Sequence, residues 1–475
     1  MSKLSVIFEK ILFILIVFLF GFIPLYPKFP LENIPGTFVA IRLEDLFIAL
    51  AVVIWSVLIS LKKEWKKVIS DKINIALFTF FFVGLVSLLS GIFLTQSVTE
   101  WHLGLLHYFR RIEFMILLPI VFTVINNKKR LLIILAVISL TVLSVNIYAL
   151  GQKYLNWPVI STTNSEFSKG LILYLTPGAR VNSTFAGHYD LAVFLMMFLI
   201  MVTGLFFSFK NFILKAWMLL LSGLSTLVLI MTAARVSFVT ALIGIILTLM
   251  FAHKNKFVVI IVIFGILAMV YPSQLRDRLI STVTVNLLEQ GQRYVPTNEK
   301  QTIRNRLNIP TLATPDSTDS AWTSIPRSTD SATTASDITP GEPVDSTDLA
   351  VYRSFGIRFN IEWPRALNAF SKNPFLGTGY SSLGLATDND ILRSLGEVGL
   401  LGTIAFALIL VGVFKKVFRS IKNSDGLIRY FACGVLALII AFILNGLFID
   451  VFEASKVTAV FWMVLGLAIS IEKTK

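Results

Sequence analysis

Apolar runs close to twenty residues long recur along this chain, and no other feature constrains its fold as strongly. A helix of about 20 apolar residues crosses the hydrocarbon of a bilayer. It does so because each of its backbone polar groups is bonded inside the segment. Such runs occupy residues 11–26, 46–61, 73–94, 103–125, 131–150, 188–207, 216–233, 237–252 and 257–271. Three more follow a long polar interval, at 396–414, 431–449 and 457–471. Only 15% of residues are charged, against about 25% in a soluble domain. The expected fold is therefore all-α: a polytopic membrane protein of about twelve transmembrane helices. Residues 1–271 hold spans one to nine, 272–395 form a large loop, and 396–475 hold spans ten to twelve.

The first run lacks a small-residue cleavage site and ends in Pro24-Leu-Tyr-Pro27, so it reads as an uncleaved span rather than a signal peptide. Orientation follows from lysine and arginine in the short loops. With the N-terminus inside, the inner loops carry Lys62, Lys63, Lys66, Lys67, Lys128, Lys129, Arg130, Lys210, Lys215, Lys254 and Lys256, then Lys415, Lys416 and Arg419. The alternate short loops carry few. Both termini then face the cytoplasm and the large loop faces outward, across the cytoplasmic (inner) membrane. The net charge of +14 belongs to these loops, and no nucleic-acid partner is expected. The single cysteine, Cys433, lies in an apolar run and rules out a disulfide within one chain.

Within the large loop, residues 311–347 are rich in Ser, Thr, Asp and Pro with almost no aliphatic content. Such a segment cannot bury enough surface to offset its ordering entropy and reads as disordered. Its flanks differ. Leu275, Leu279, Val283 and Leu287 recur at spacings near four and predict an amphipathic helix at the membrane interface. Residues 353–371 predict a second helix, with Arg358, Glu362 and Arg365 on one face and a bend at Pro364.

Charged groups near hydrocarbon depth need partners or a function. Arg110 and Arg111 sit just inside the fourth span beside Glu113, which leaves internal pairing and substrate contact both open. Arg180 opens Arg180-Val-Asn-Ser-Thr-Phe-Ala-Gly-His188. Arg235 lies at the turn between spans seven and eight, with no carboxylate near it in sequence. A guanidinium presents a fork that matches phosphate oxygens, so these arginines suggest a lipid diphosphate as substrate. Asp388-Asn389-Asp390, before span ten, offers either a general base or a helix cap. Glu397, four residues after Arg393, reads equally as a site residue or a helical ion pair. His188 is a candidate acid or base. His102, His107 and His253 show no metal-ligand spacing, and Gly377-Thr-Gly379 lacks the residues of a nucleotide-binding loop.

Four motifs in this order resemble the O-antigen ligase and polymerase superfamily of bacterial membrane glycosyltransferases. They are Arg180…Ser-Thr-Phe…Tyr-Asp-Leu-Ala192; Thr232-Ala-Ala-Arg235; Arg358…Trp363…Asn373-Pro-Phe-Leu-Gly377-Thr-Gly379; and Asp388-Asn389…Glu397-Val-Gly399-Leu-Leu-Gly402. The resemblance implies a membrane-embedded C-type glycosyltransferase fold that works without metal or other cofactor. It implies a glycan donor on undecaprenyl diphosphate, and a glycan or lipid-linked saccharide acceptor, in lipopolysaccharide or exopolysaccharide synthesis. Arg180 and Arg235 would hold the diphosphate, with Asp388 as the third catalytic residue. Substrate contacts are expected from Arg358, Arg365, Asn389, Glu397, His188, Arg110 and Arg111. Ligases of this superfamily usually carry His-Asn where this chain has Asp388-Asn389, and Asp-Asn occurs in members tied to exopolysaccharide polymerisation. Ligase and polymerase both stay open, and a lipid-linked glycan flippase is the alternative from another class.

Overall fold

A computed structural model describes residues 3–33, 40–160, 173–175, 178–270, 272–284, 354–384 and 386–470. The proposed disordered stretch 311–347, Arg353 and residues 285–294 lie outside the described residues.

The described chain is almost wholly helical. In order it runs α1 (Lys3–Leu25), a two-stranded antiparallel hairpin of β1 (Pro30–Asn33) and β2 (Ala40–Arg42), α2 (Leu43–Lys62), the short α3 (Trp65–Ser70) and α4 (Lys72–Phe93). Then come α5 (Trp101–Val124), α6 (Lys128–Tyr154), α7 (His188–Phe206), α8 (Phe212–Met231), α9 (Arg235–Phe251), α10 (Val258–Val270) and α11 (Gln274–Thr284). A single π-turn, Arg358–Glu362, leads into α12 (Trp363–Lys372). The chain closes with α13 (Asp390–Asn423), α14 (Gly426–Asn445) and α15 (Ser455–Ser470).

A helix stands in every interval that the apolar runs mark out, and eight of these helices are long and apolar enough to cross a membrane. The others are α9, α10 and α15, which are shorter, and α5, which carries Arg110, Arg111 and Glu113. Packing sorts the helices into two kinds. Every residue of α15 is buried, as are most of α7 and of α14, so these three form the centre. Close approach comes where glycines replace side chains. Gly204 meets the Tyr430 carbonyl, Gly434 meets Met201, and Gly466 meets the Leu118 carbonyl. By contrast α8 and α10 present Leu219, Leu220, Val259, Ile260 and Ile266 outward, an apolar face suited to lipid.

The main departure from the sequence expectation is α13. It begins at Asp390 rather than 396, and it is interrupted at Gly399, whose φ of 65° and ψ of −168° are not helical. A helix break at membrane depth leaves backbone groups without partners. Here the turn at 373–379 supplies them. The Thr378 and Gly379 amides donate to the Gly396 and Glu397 carbonyls (2.9 Å each), while the Leu400 and Leu401 amides donate to the Pro374 and Phe375 carbonyls (2.8 and 3.1 Å). Ser87 of α4 adds a 2.7 Å bond to the Glu397 carbonyl, and Asn373 Nδ2 reaches Ser90 Oγ (3.2 Å). Two motifs that look separate in the sequence are thus the two halves of one backbone joint.

Candidate active site

The starts of α2, α5, α7, α9, α13 and α15 and the ends of α1, α4, α6, α8 and α14 gather at one end of the bundle. Bonds across those connections hold them there: Arg42 to Ser455, Lys456 to the Pro24 and Thr184 carbonyls, and Arg111 to the Phe452 carbonyl. The expected site residues lie at this end.

Asp388 sits in the left-handed region (φ 51°), immediately before the α13 cap. Its Oδ2 pairs with Arg358 at 2.8 Å, with the Arg358 side chain 10% exposed and that of Asp388 33% exposed. Burial raises the Asp388 carboxyl above its ordinary range, and Arg358 pulls it back only in part. The buried Arg358 Nε–H finds no acceptor among the described residues. One helical turn on, burial also raises Glu362, followed by the repulsion of Asp388 and Asp450. Arg365 donates to the Leu383 carbonyl at 3.0 Å.

Arg235 is the first residue of α9, reached through a tight turn in which Ala233 takes a positive φ. Its guanidinium bonds Thr282 Oγ1, approaches the Arg278 carbonyl (3.4 Å) on α11, and lies 5.8 Å from the Phe355 ring. Arg180 and Arg358 both act on it electrostatically, so three arginines face a common region. Arg180 Nη1 lies 2.8 Å from His188 Nε2. A guanidinium can only donate, so His188 accepts through Nε2, and the neutral ring carries its proton on Nδ1. The histidine therefore orients Arg180. The Arg180–His188 loop is itself fixed: Gln152 Oε1 accepts from the Ser183 amide, and Lys456 Nζ donates to the Thr184 carbonyl at 2.8 Å.

Several expected site residues have internal partners instead. Arg110 pairs with Asp45 (3.2 Å), and Arg111 pairs with Glu453. Neither ion pair is with Glu113, the neighbour that the sequence pointed to. Asn389 caps α13, its Oδ1 accepting from the Leu392 amide at 3.0 Å. Glu397 is buried 3.5 Å from Arg393, the helical pair that its spacing allowed. Asp390 accepts from the Val451 amide (2.9 Å) and so ties α13 to the α14–α15 connection.

Sequence reasoning missed the cage around Arg393. This side chain is 2% exposed and faces Asp450 (3.1 Å), Glu397 and Glu453 (3.8 Å). Asp450 also accepts from the Thr387 and Asn389 amides (2.7 and 3.1 Å), so it holds Asp388 from both sides along the chain. Burial raises Glu453, but Arg111 and Arg393 outweigh that and hold it below its ordinary range. The available signal was that Asp450, Glu453 and Lys456 are charges inside an apolar tail and need partners. Among the described residues no three His, Cys, Asp or Glu side chains come together as a metal site.

Fold and site together define an all-α polytopic membrane protein with a cluster of arginines and a partly exposed carboxylate, Asp388, at one end of the bundle. Residues 219–407, from α8 into α13, match the family described as O-antigen ligase. Three of the four motifs that resemble the O-antigen ligase and polymerase superfamily fall within that span. The span contains Arg235, Arg358, Arg365, Asp388, Asn389 and Glu397, whereas Arg180 and His188 precede it. No match is found among curated proteins.

Proposed function

We propose that the protein transfers a glycan from undecaprenyl diphosphate to an acceptor hydroxyl at the outer face of the cytoplasmic membrane, as a ligase or polymerase. The observation that supports this reading is that Arg235 interacts with both Arg180 and Arg358, and that Arg358 in turn pairs with Asp388. The acceptor oxygen attacks the sugar C1 as the C1–O bond to the diphosphate breaks, with inversion. Asp388 takes the hydroxyl proton, while Arg358 holds the carboxylate in place. Arg180 and Arg235 stabilise the charge gathering on the departing diphosphate. His188 acts through Arg180, while Arg110, Arg111, Asn389 and Glu397 maintain the scaffold.

Purified protein in nanodiscs, given a synthetic undecaprenyl-diphosphate glycan and a saccharide acceptor, should release undecaprenyl diphosphate. Removing one oriented donor costs about 10²–10³ in rate, and Arg235→Ala should fall in that range with protein abundance unchanged. Arg235→Lys should also be impaired, since a point charge replaces a fork. A wild-type rate in Arg235→Ala rejects the assignment. Absence of release from a folded preparation favours the flippase.

A further inference from the structure

A second feature at the same end of the bundle is an open cleft of about 400 Å³, within the range of about 300–1,000 Å³ typical of ligand sites. One wall is a stripe of the π-turn and α12 at four-residue spacing: Asn360, Pro364, Asn368 and Lys372. Thr378, part of the backbone joint that holds the α13 break, lines the cleft together with Ser382 and Ser97. Arg365 lines the cleft as well. The Asn360 and Asn368 amides and the Lys372 ammonium make no side-chain hydrogen bond to the described residues, whereas Thr378 and Ser382 bond each other at 2.7 Å.

The composition of the lining selects its ligand. Two carboxamides offer donors and acceptors together, and three hydroxyls, whose own protons go to the Thr95, Gly379 and Gly396 carbonyls, offer further acceptors, which suits sugar hydroxyls. No aromatic ring lines the cleft, so a flat base has nothing to stack on. Two cations line it and no carboxylate does. Glu362, outside the cleft, acts electrostatically on Arg365 and interacts with Asp388 and Arg358 as well. An excess of cations over carboxylates in the lining of a hydroxyl- and amide-rich cleft matches a saccharide that carries its own negative charge.

We propose that this cleft is a subsite for an anionic saccharide, a glycan bearing carboxylate groups. The subsite rests on the glycan-transfer reading for its role but not for its binding. The test is calorimetric titration of the full-length protein in nanodiscs with tetragalacturonate and with its carboxyl-reduced, neutral counterpart. The charged oligosaccharide should bind about tenfold or more tightly than the neutral one, equivalent to about 1.4 kcal/mol. Lys372→Gln should remove most of that preference, and Asn368→Ala should weaken both ligands. Both positions are exposed, so melting profiles should match the wild type. Equal binding of the two oligosaccharides, binding of neither, or affinities untouched by both substitutions overturns the subsite. Charge-selective binding without any transfer would instead keep the subsite and reject the enzymatic reading.

Discussion

Replacing Gly399 with alanine tests the joint on which the site is built. An L-residue in this sparsely populated backbone region costs about 1–3 kcal/mol. The added methyl would also point at the Phe375 carbonyl and come to 2.5 Å from the Gly377 amide nitrogen. Both obstacles are main chain, so relief requires parting the 373–379 turn from the α13 break. Four backbone hydrogen bonds cross that joint. Losing two of them, at about 1 kcal/mol net each, brings the expected destabilisation to about 3–5 kcal/mol. Gly223 provides the control: it lies within α8, and a methyl there meets nothing within 4 Å. Gly223→Ala should be neutral or gain up to about 1 kcal/mol from helix propensity. Thermal unfolding and limited proteolysis of both purified variants in nanodiscs would measure the difference. If Gly399→Ala unfolds like the wild type, the joint does not hold the site as described.

Glu453→Gln should destabilise the fold by about 3–5 kcal/mol, because it leaves Arg111 and Arg393 short of a buried partner, as chemical denaturation would show. The pH dependence has a definite sign: the Glu453 carboxyl is lowered on folding, so its contribution is complete above its unfolded value and fades as pH falls through its folded one. Asp388 behaves oppositely, with its proton held more tightly in the folded protein. Transfer should therefore rise with pH along a limb above the ordinary aspartate range, and Asp388→Asn should abolish that limb with the rate, as a pH–rate profile would record. Lys456→Met should keep the helices but free the Arg180 loop, lowering turnover more than acceptor affinity in steady-state assays.

Much of the fold was legible because membrane spans announce themselves through length and apolarity alone. Each run maps to a helix, even at α5, where Arg110 and Arg111 break the apolar pattern but pair internally. The site was legible only in part. Arg358 and Asp388 lie thirty residues apart with a turn between, and no periodicity joins them; only the joint at Gly399 brings α13 back toward α12. Asn389 and Glu397 were ambiguous for a plain reason. Caps and helical ion pairs use the same residue types as catalysis, and spacing cannot say which way a side chain faces. Asp450 and Glu453 were missed because their partners are remote in sequence. Arg393 stands 57 residues from Asp450.

The interruption of α13 also sets a depth. An unbroken helix of its 34 residues would measure about 51 Å at 1.5 Å per residue, far more than the roughly 30 Å of hydrocarbon in a bilayer. Split at Gly399, the apolar part after the break, 400–414, is about 22 Å long and ends at Lys415 and Lys416. The part before it, 390–398, adds about 13 Å and completes a crossing of the roughly 30 Å of hydrocarbon, which leaves the break inside the membrane. Asp388 is carried at the tip of that short piece. A lipid-borne diphosphate would meet it without leaving its leaflet.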